Sequence, residues 1–93
     1  MKIEKPKNQN AEVLYLLINN KCINRQSIMY DTGILNVTAR IANLRNIHQI
    51  AIDCKRVSVL NKFGRSVNFG VWSISKKPSD LKLIEKKYNK INK

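Results

Sequence analysis

Asn36-Val37-Thr38-Ala39-Arg40-Ile41-Ala42-Asn43-Leu44-Arg45-Asn46 is the stretch on which the fold turns. At about 100° per residue, Val37, Ile41 and Leu44 fall on one side of a helix. Ala39, Ala42, Asn43 and Asn46 fall on the other. A helix that faces only water usually carries charged and polar side chains there. Two alanines flanked by asparagine and threonine instead suit a helix that comes close to a surface and hydrogen-bonds to it. The DNA major groove, about 12 Å wide, is such a surface.

Upstream of this stretch, Thr32-Gly33 predicts a break, because glycine takes the left-handed conformation that ends helices. Ile34 and Leu35 then lead to Asn36, which can cap the helix above. Before the break, Asn24 can cap a short helix from Arg25 to about Asp31, with Ile28 and Met29 inward. Asn8 or Asn10 can cap a first helix that runs to about Asn19. Ala11, Leu14, Leu17 and Ile18 give it an apolar stripe. Residues 1–7, with Pro6, read as a flexible basic lead-in.

Downstream, the apolar period shifts from 3.6 toward 2. Ile50–Ile52 and Arg56–Leu60 read as extended, Asn61–Arg65 as a turn, and Ser66–Ser75 as a second extended run. Val67, Phe69 and Val71 fall on one face of that run, Trp72 and Ile74 on the other. The result is a β-hairpin with Lys62 and Arg65 at its tip. Lys76-Lys77-Pro78 is a further break, after which Ser79 is expected to cap a helix from Asp80 to about Asn89. Its stripe of Leu81, Ile84, Tyr88 and Ile91 can pack on the domain or on a second copy. The predicted class is α+β, mainly helical. Residues 8–75 form the domain and residues 76–93 a lysine-rich C-terminal helix.

The chain has 93 residues, 43% of them apolar, enough for one domain with a modest core. Its formal charge is +12, an excess that points to a polyanionic partner, most often nucleic acid. Residues 20–75 hold eight basic against two acidic residues, including all five arginines. Arginine suits bidentate contacts to phosphate and guanine. Residues 76–93 carry seven lysines against two acidic residues and no arginine. Abundant Ile, Asn and Lys fit an AT-rich coding sequence, a weak pointer toward a phage or other mobile element.

Three helices followed by a basic hairpin is the winged helix-turn-helix arrangement. Thr38-Ala39-Arg40-Ile41-Ala42-Asn43-Leu44-Arg45 also resembles the S/T-A-R-I-x-x-L-R stretch of small phage and prophage winged helix proteins. Trp72-Ser73-Ile74 matches the aromatic-x-aliphatic ending of their hairpin. The resemblance covers roughly residues 9–75. It implies a winged helix fold and DNA binding through the third helix. One departure stands out: the family usually has a glycine a few residues after the Leu-Arg pair, where this chain has Ile47-His48-Gln49. The exit from the third helix is therefore expected to be longer or differently shaped.

Thr38, Ala39, Asn43 and Asn46 are the candidates for base edges. Asparagine can bond bidentately to adenine, and an alanine or threonine methyl can touch the thymine methyl. Asn36, as a cap at a helix N-terminus, also suits a phosphate. Arg40 lies near the core-facing edge of the helix. It either reaches a phosphate or serves the fold by bonding to carbonyls or to Asp31. Arg45, on the other flank, is expected to meet the DNA backbone. Arg25, at the start of the second helix, is placed for a phosphate. Lys62 and Arg65 would straddle the backbone or enter a minor groove, with Lys55 and Arg56 adding to the same positive stripe. Trp72, Phe69 and Tyr15 read as core, Phe63 as exposed, and His48 as structural.

Cys22 and Cys54, with His48 as the single histidine, cannot by themselves close a four-ligand zinc site. Reduced, partly buried thiols in a cytoplasmic setting are expected. No metal, cofactor or membrane span is predicted, and no enzyme: a Gly-rich phosphate loop, an HExxH pair and paired carboxylates are all missing from the sequence. The leading expectation is a sequence-specific double-stranded DNA binder acting in transcription, excision or replication. It could pair as a homodimer through the C-terminal helix or on the DNA. The alternatives are an RNA-binding protein and a protein-interaction module that inhibits a host nucleic-acid enzyme.

Overall fold

A computed structural model describes residues 3–93. Helix α1 (Gln9–Asn19) leads through a short strand β1 (Ile23–Asn24) into α2 (Arg25–Thr32) and α3 (Val37–Asn46). Strands β2 (Asp53–Leu60) and β3 (Ser66–Ser73) follow, and α4 (Pro78–Ile91) closes the chain. The sheet is antiparallel in the order β1-β3-β2. This is a small α+β fold of four helices and three strands among the described residues.

Local chemistry accounts for most boundaries. Asn8 Oδ1 accepts from the Ala11 N–H at 2.9 Å, and Asn24 Oδ1 from that of Ser27 at 2.7 Å. Each satisfies a backbone donor that the first helical turn cannot. Gly33 ends α2 at φ 75°, with its N–H on the Met29 carbonyl. Asn36 caps α3 through a longer 3.4 Å bond from the Ala39 N–H.

The structure departs from the sequence reading at three boundaries. Strand β1 is additional: Ile23 and Asn24 pair with Trp72 and Val71. Two residues are too few to carry a period. Strand β2 begins only at Asp53, because Ile50 and Ile52 are buried in the approach to the sheet. Helix α4 begins at Pro78, not after Ser79. Its N-cap is Lys77, with no side-chain cap bond. Proline at a first helical position has its φ already set and lacks the N–H that a cap would satisfy.

The core joins all layers. Helix α1 contributes Ala11, Val13, Leu14 and Leu17, α2 Ile28, and α3 Val37, Ile41 and Leu44. Ile23, Ile52 and Ile74 close it from the sheet side, while Ile84 and Tyr88 close it from α4. The α4 stripe therefore packs on its own domain, and Leu81 and Ile91 pack against the same cluster. That stripe is not left open for a second copy.

The cysteines are free, as expected, but both are exposed where partial burial was expected. Cys54 pairs across β3 Trp72, whose other neighbour is Ile23, next to Cys22. The strand between them puts the backbones of Ile23 and Cys54 about 9–10 Å apart, and neither cysteine forms a disulfide.

The chain ends are tied together. The Tyr88 hydroxyl donates to the Glu4 carbonyl. Asn92 donates to the Lys5 carbonyl and accepts from the Lys7 N–H, and Asn8 Nδ2 donates to the Ile91 carbonyl. Residues 4–8 thus lie against α4. The Lys76 ammonium donates to the Leu17 and Ile18 carbonyls, which supplies cationic hydrogen bonds at the C-terminal end of α1. Burial lowers the Lys76 pKa from the ordinary lysine value.

Burial, followed by the nearby Tyr15 and Glu4 charges, holds the Tyr88 phenol above its ordinary pKa of 10.0. A phenol whose folded pKa is raised contributes stability that is present below the unfolded value and lost as pH rises through the folded one. Tyr88→Phe is expected to lower stability by about 1 kcal/mol at neutral pH. It should also make the fall in Tm above pH 10 shallower than in the wild type. Parallel Tm–pH profiles above pH 10 would contradict this role for Tyr88.

Candidate nucleic-acid interface

Burial of Val37, Ile41 and Leu44 turns the opposite side of α3 outward. Thr38, Ala42 and Asn46 are exposed there, while Ala39 and Asn43 are partly covered. Four positions apart, Thr38, Ala42 and Asn46 form a row along the helix, because i and i+4 residues are neighbours. Ala42 belongs to this row. It was absent from the base-edge candidates, although its place on the small face was visible in the helical period.

The two flanks of α3 differ. The Arg45 guanidinium donates through Nε and Nη2 to the Ile52 carbonyl, at 3.1 and 2.5 Å. Arg45 was expected at the DNA backbone, and its first attachment is instead within the chain, at the base of the hairpin. It remains exposed, so the guanidinium edge away from Ile52 still faces outward. Arg40 lies on the opposite flank, in a cleft of about 520 Å³ with His48, Lys90 and Lys93 by the start of α1. Its Nε is buried without a hydrogen-bond partner among the described residues. The carbonyl bonds that a purely structural arginine would make are therefore missing at this atom.

Where the resemblance leads one to expect glycine, Gln49 takes φ 55° and is the single non-glycine residue in the left-handed region among the described residues. The helix exit uses it to turn the chain sharply. The Ile47 and His48 N–H groups return to the Asn43 carbonyl, and the Ile50 N–H reaches back to that of Leu44. Lys87 of α4 donates to the Gln49 carbonyl at 2.7 Å, tying this corner to the last helix. His48 is half-buried beside it.

Strands β2 and β3 extend well beyond the core. Lys55 and Arg56 are exposed, but consecutive strand residues point to opposite faces. Lys55 lies across from Val71 and Arg56 across from Gly70. They therefore do not form one stripe. At the tip, the Asn61 N–H donates to the Arg65 carbonyl, and Asn61 Oδ1 accepts from the N–H groups of Phe63 and Arg65. Gly64 supplies the positive φ of 84° that the turn needs. Lys62, Phe63 and Arg65 all project into solvent.

Between β3, α2 and the start of α3 lies a cleft of about 580 Å³, lined in part by Arg25, Gln26, Thr38, Phe69 and Trp72. It brings Arg25 and Thr38 to the same opening as the hairpin. Gln26 was not singled out by the sequence, since a polar residue in the first turn of a short helix carries no signal of its own. Trp72 and Tyr15 pack against the core, and Phe69 is half-buried. No group of His, Cys, Asp and Glu among the described residues could hold a metal ion. No helix of the described residues is long and apolar enough to cross a membrane. Neither any protein-family model nor any curated protein matches the chain.

A non-glycine residue in the left-handed region carries a conformational cost of about 1 kcal/mol that glycine does not. Gln49→Gly is expected to raise stability by about 0.5–1 kcal/mol, after the greater freedom of glycine in the unfolded chain is subtracted. Thermal melts of the two proteins check this. A lower Tm for Gln49→Gly would mean that the Gln49 side chain holds the corner by contacts of its own.

Proposed function

We propose that this protein is a sequence-specific double-stranded DNA-binding protein of phage or mobile-element type, with a winged helix-turn-helix architecture. Helix α3 enters the major groove and the β2–β3 hairpin is the wing. The observation that carries the reading is the row Thr38, Ala42, Asn46: small and uncharged, exposed on a helix beside a basic hairpin, in a chain of net charge +12. Small side chains let a helix backbone come close to base edges. Asparagine recognises adenine through N6 and N7, while the Ala42 and Thr38 methyls suit the thymine methyl. Strand order β1-β3-β2, with β1 between α1 and α2, supports the same architecture.

Around this row the cations have separate roles. Arg25 and Asn36, at the starts of α2 and α3, meet phosphates on one side of the groove. Arg40 meets one on the α1 side through the part of its guanidinium beyond the buried Nε, and the outer edge of Arg45 meets one on the hairpin side. Lys62, Arg65 and either Lys55 or Arg56 hold the wing to the neighbouring backbone. Contact with about six phosphates gives log affinity a slope near −5 against log salt. One such domain covers roughly 600–1,000 Å² of DNA. Tight binding then calls for two copies arranged by the DNA, with half-sites about 34 Å apart or a multiple of that. Control of transcription, excision or replication initiation is the kind of event such a binder serves.

Selection from a random duplex pool should enrich a site containing A·T pairs. A pool that stays random, with equal affinity for duplex RNA of the same sequence, would overturn the reading. On the enriched site, Asn46→Ala should cost about 1–3 kcal/mol and relax preference at one or two base pairs. Lys62→Ala should weaken all duplexes alike and flatten the salt slope by about one unit. An equal loss on every sequence for Asn46→Ala would remove that residue from base reading.

A further inference from the structure

The hairpin tip is charged, hydrogen-bonded and apolar at once. Phe63 is 84% exposed and Leu60 73% exposed, with Val59 half-exposed beside them. A turn that faces only water is served by small polar residues such as Asn, Asp, Ser and Gly. Exposing an aromatic ring and a leucine side by side instead leaves apolar area in water that burial would stabilise. The turn is also organised. Asn61 Oδ1 holds the Phe63 and Arg65 N–H groups, the Gly64 N–H returns to the Asn61 carbonyl, and the Asn61 N–H bonds to the Arg65 carbonyl. The ring is therefore presented outward on a fixed backbone. Lys62 Nζ lies 5.3 Å from its centroid, and Arg65 follows one residue past Gly64.

The placement of the hairpin directs this tip. Its base is tied to the C-terminal end of α3 by Arg45 and Ile52. Further along, Phe69 and Val67 share a cleft with Thr38 at the N-terminal end. The hairpin thus meets the C-terminal end of α3 through Arg45 and opens a cleft toward its N-terminal end. Eight residues per strand span about 26 Å, against about 15 Å for the ten residues of α3. The strands are thus longer than α3, and the turn at residues 61–65 lies at the end of the hairpin away from the Arg45–Ile52 contact.

We infer that Phe63 is a wedge: it enters the minor groove beside the site of α3 and inserts at a base step, unstacking and bending the duplex. This rests on the proposed DNA-binding function and adds a mechanism to it. Lys62 Nζ stands over the ring and Arg65 follows two residues after it, so the apolar tip carries cations for the neighbouring phosphates. Apolar side chains used this way partly unstack a step and kink the duplex. Flexible pyrimidine–purine steps yield to them most readily. A tip one aromatic ring wide is far smaller than the roughly 800 Å² per partner of a stable protein interface, but it matches the size of a base step.

The test uses the full chain and a 40-base-pair duplex that carries the site enriched by selection, with fluorophores at both ends and 2-aminopurine at the pyrimidine–purine step flanking that site. Wild-type protein should bind, bring the ends closer and raise the 2-aminopurine emission. Phe63→Ala should bind roughly tenfold more weakly, keep the wild-type salt slope, and lose both optical signals. Phe63→Trp should keep them. The ring is exposed, so all three proteins should share one circular dichroism spectrum and Tm. Salt-sensitive binding with signals that are the same in wild type and Phe63→Ala would overturn the wedge and leave the DNA-binding reading standing. No duplex binding by the wild type would overturn both. Phe63-dependent binding to anionic phosphatidylglycerol vesicles, without any optical change on DNA, would assign the tip to a membrane surface and also overturn the wedge.

Discussion

Helix α3 is ten residues long and buries Val37, Ile41 and Leu44 to within 2% of full burial. Those three contacts set the rotation of the helix about its axis. With 3.6 residues per turn, that rotation leaves no freedom for the other side chains. Thr38, Ala42 and Asn46 must face outward, Arg40 must lie toward α1, and Arg45 toward the hairpin. Burying one leucine, one isoleucine and one valine is worth roughly 1.5–3 kcal/mol each. That far exceeds any one surface contact, so the presentation of the outer row is held by the core.

The second constraint is the corner after α3. The chain has to leave the helix and enter the sheet within a few residues, and it does so through Gln49 in the left-handed region. Lys87 bonds to the carbonyl of this residue, and Tyr88, its neighbour on α4, bonds to the N-terminal segment. The last helix is thus more than a lysine-rich appendage. It braces the start of the hairpin and the start of α1 together. Arg45 performs the same kind of task from the other side, joining α3 to Ile52. An exposed arginine can therefore serve the fold with one edge of its guanidinium.

Helices α1, α2 and α3 were legible because their caps and stripes coincide: Asn8, Asn24 and Asn36 stand where the apolar spacing begins, and Gly33 where it pauses. The hairpin was legible from its alternation and from Gly64. Strand β1 was not, since two residues show no period. Its existence depends on the free edge of β3 lying beside it. The start of α4 was misplaced because Ser79 is a good cap by type, whereas Pro78 already occupies the first helical position. The exposure of the cysteines was hidden for a related reason. Burial of a residue at a sheet edge depends on what packs over it, and nothing covers Cys22 or Cys54.

What the sequence determined by itself is the four helices and the hairpin, the apolar stripe of α3, the small outer row opposite it and the excess of positive charge. These are local or additive properties, readable from spacing and composition. Only the tertiary structure decided which flank of α3 meets the hairpin, that Ile23 and Asn24 pair with β3, and that the α4 stripe is spent on its own domain. Each of these depends on contacts between residues far apart in the chain, and no periodicity along the chain records a distance across it.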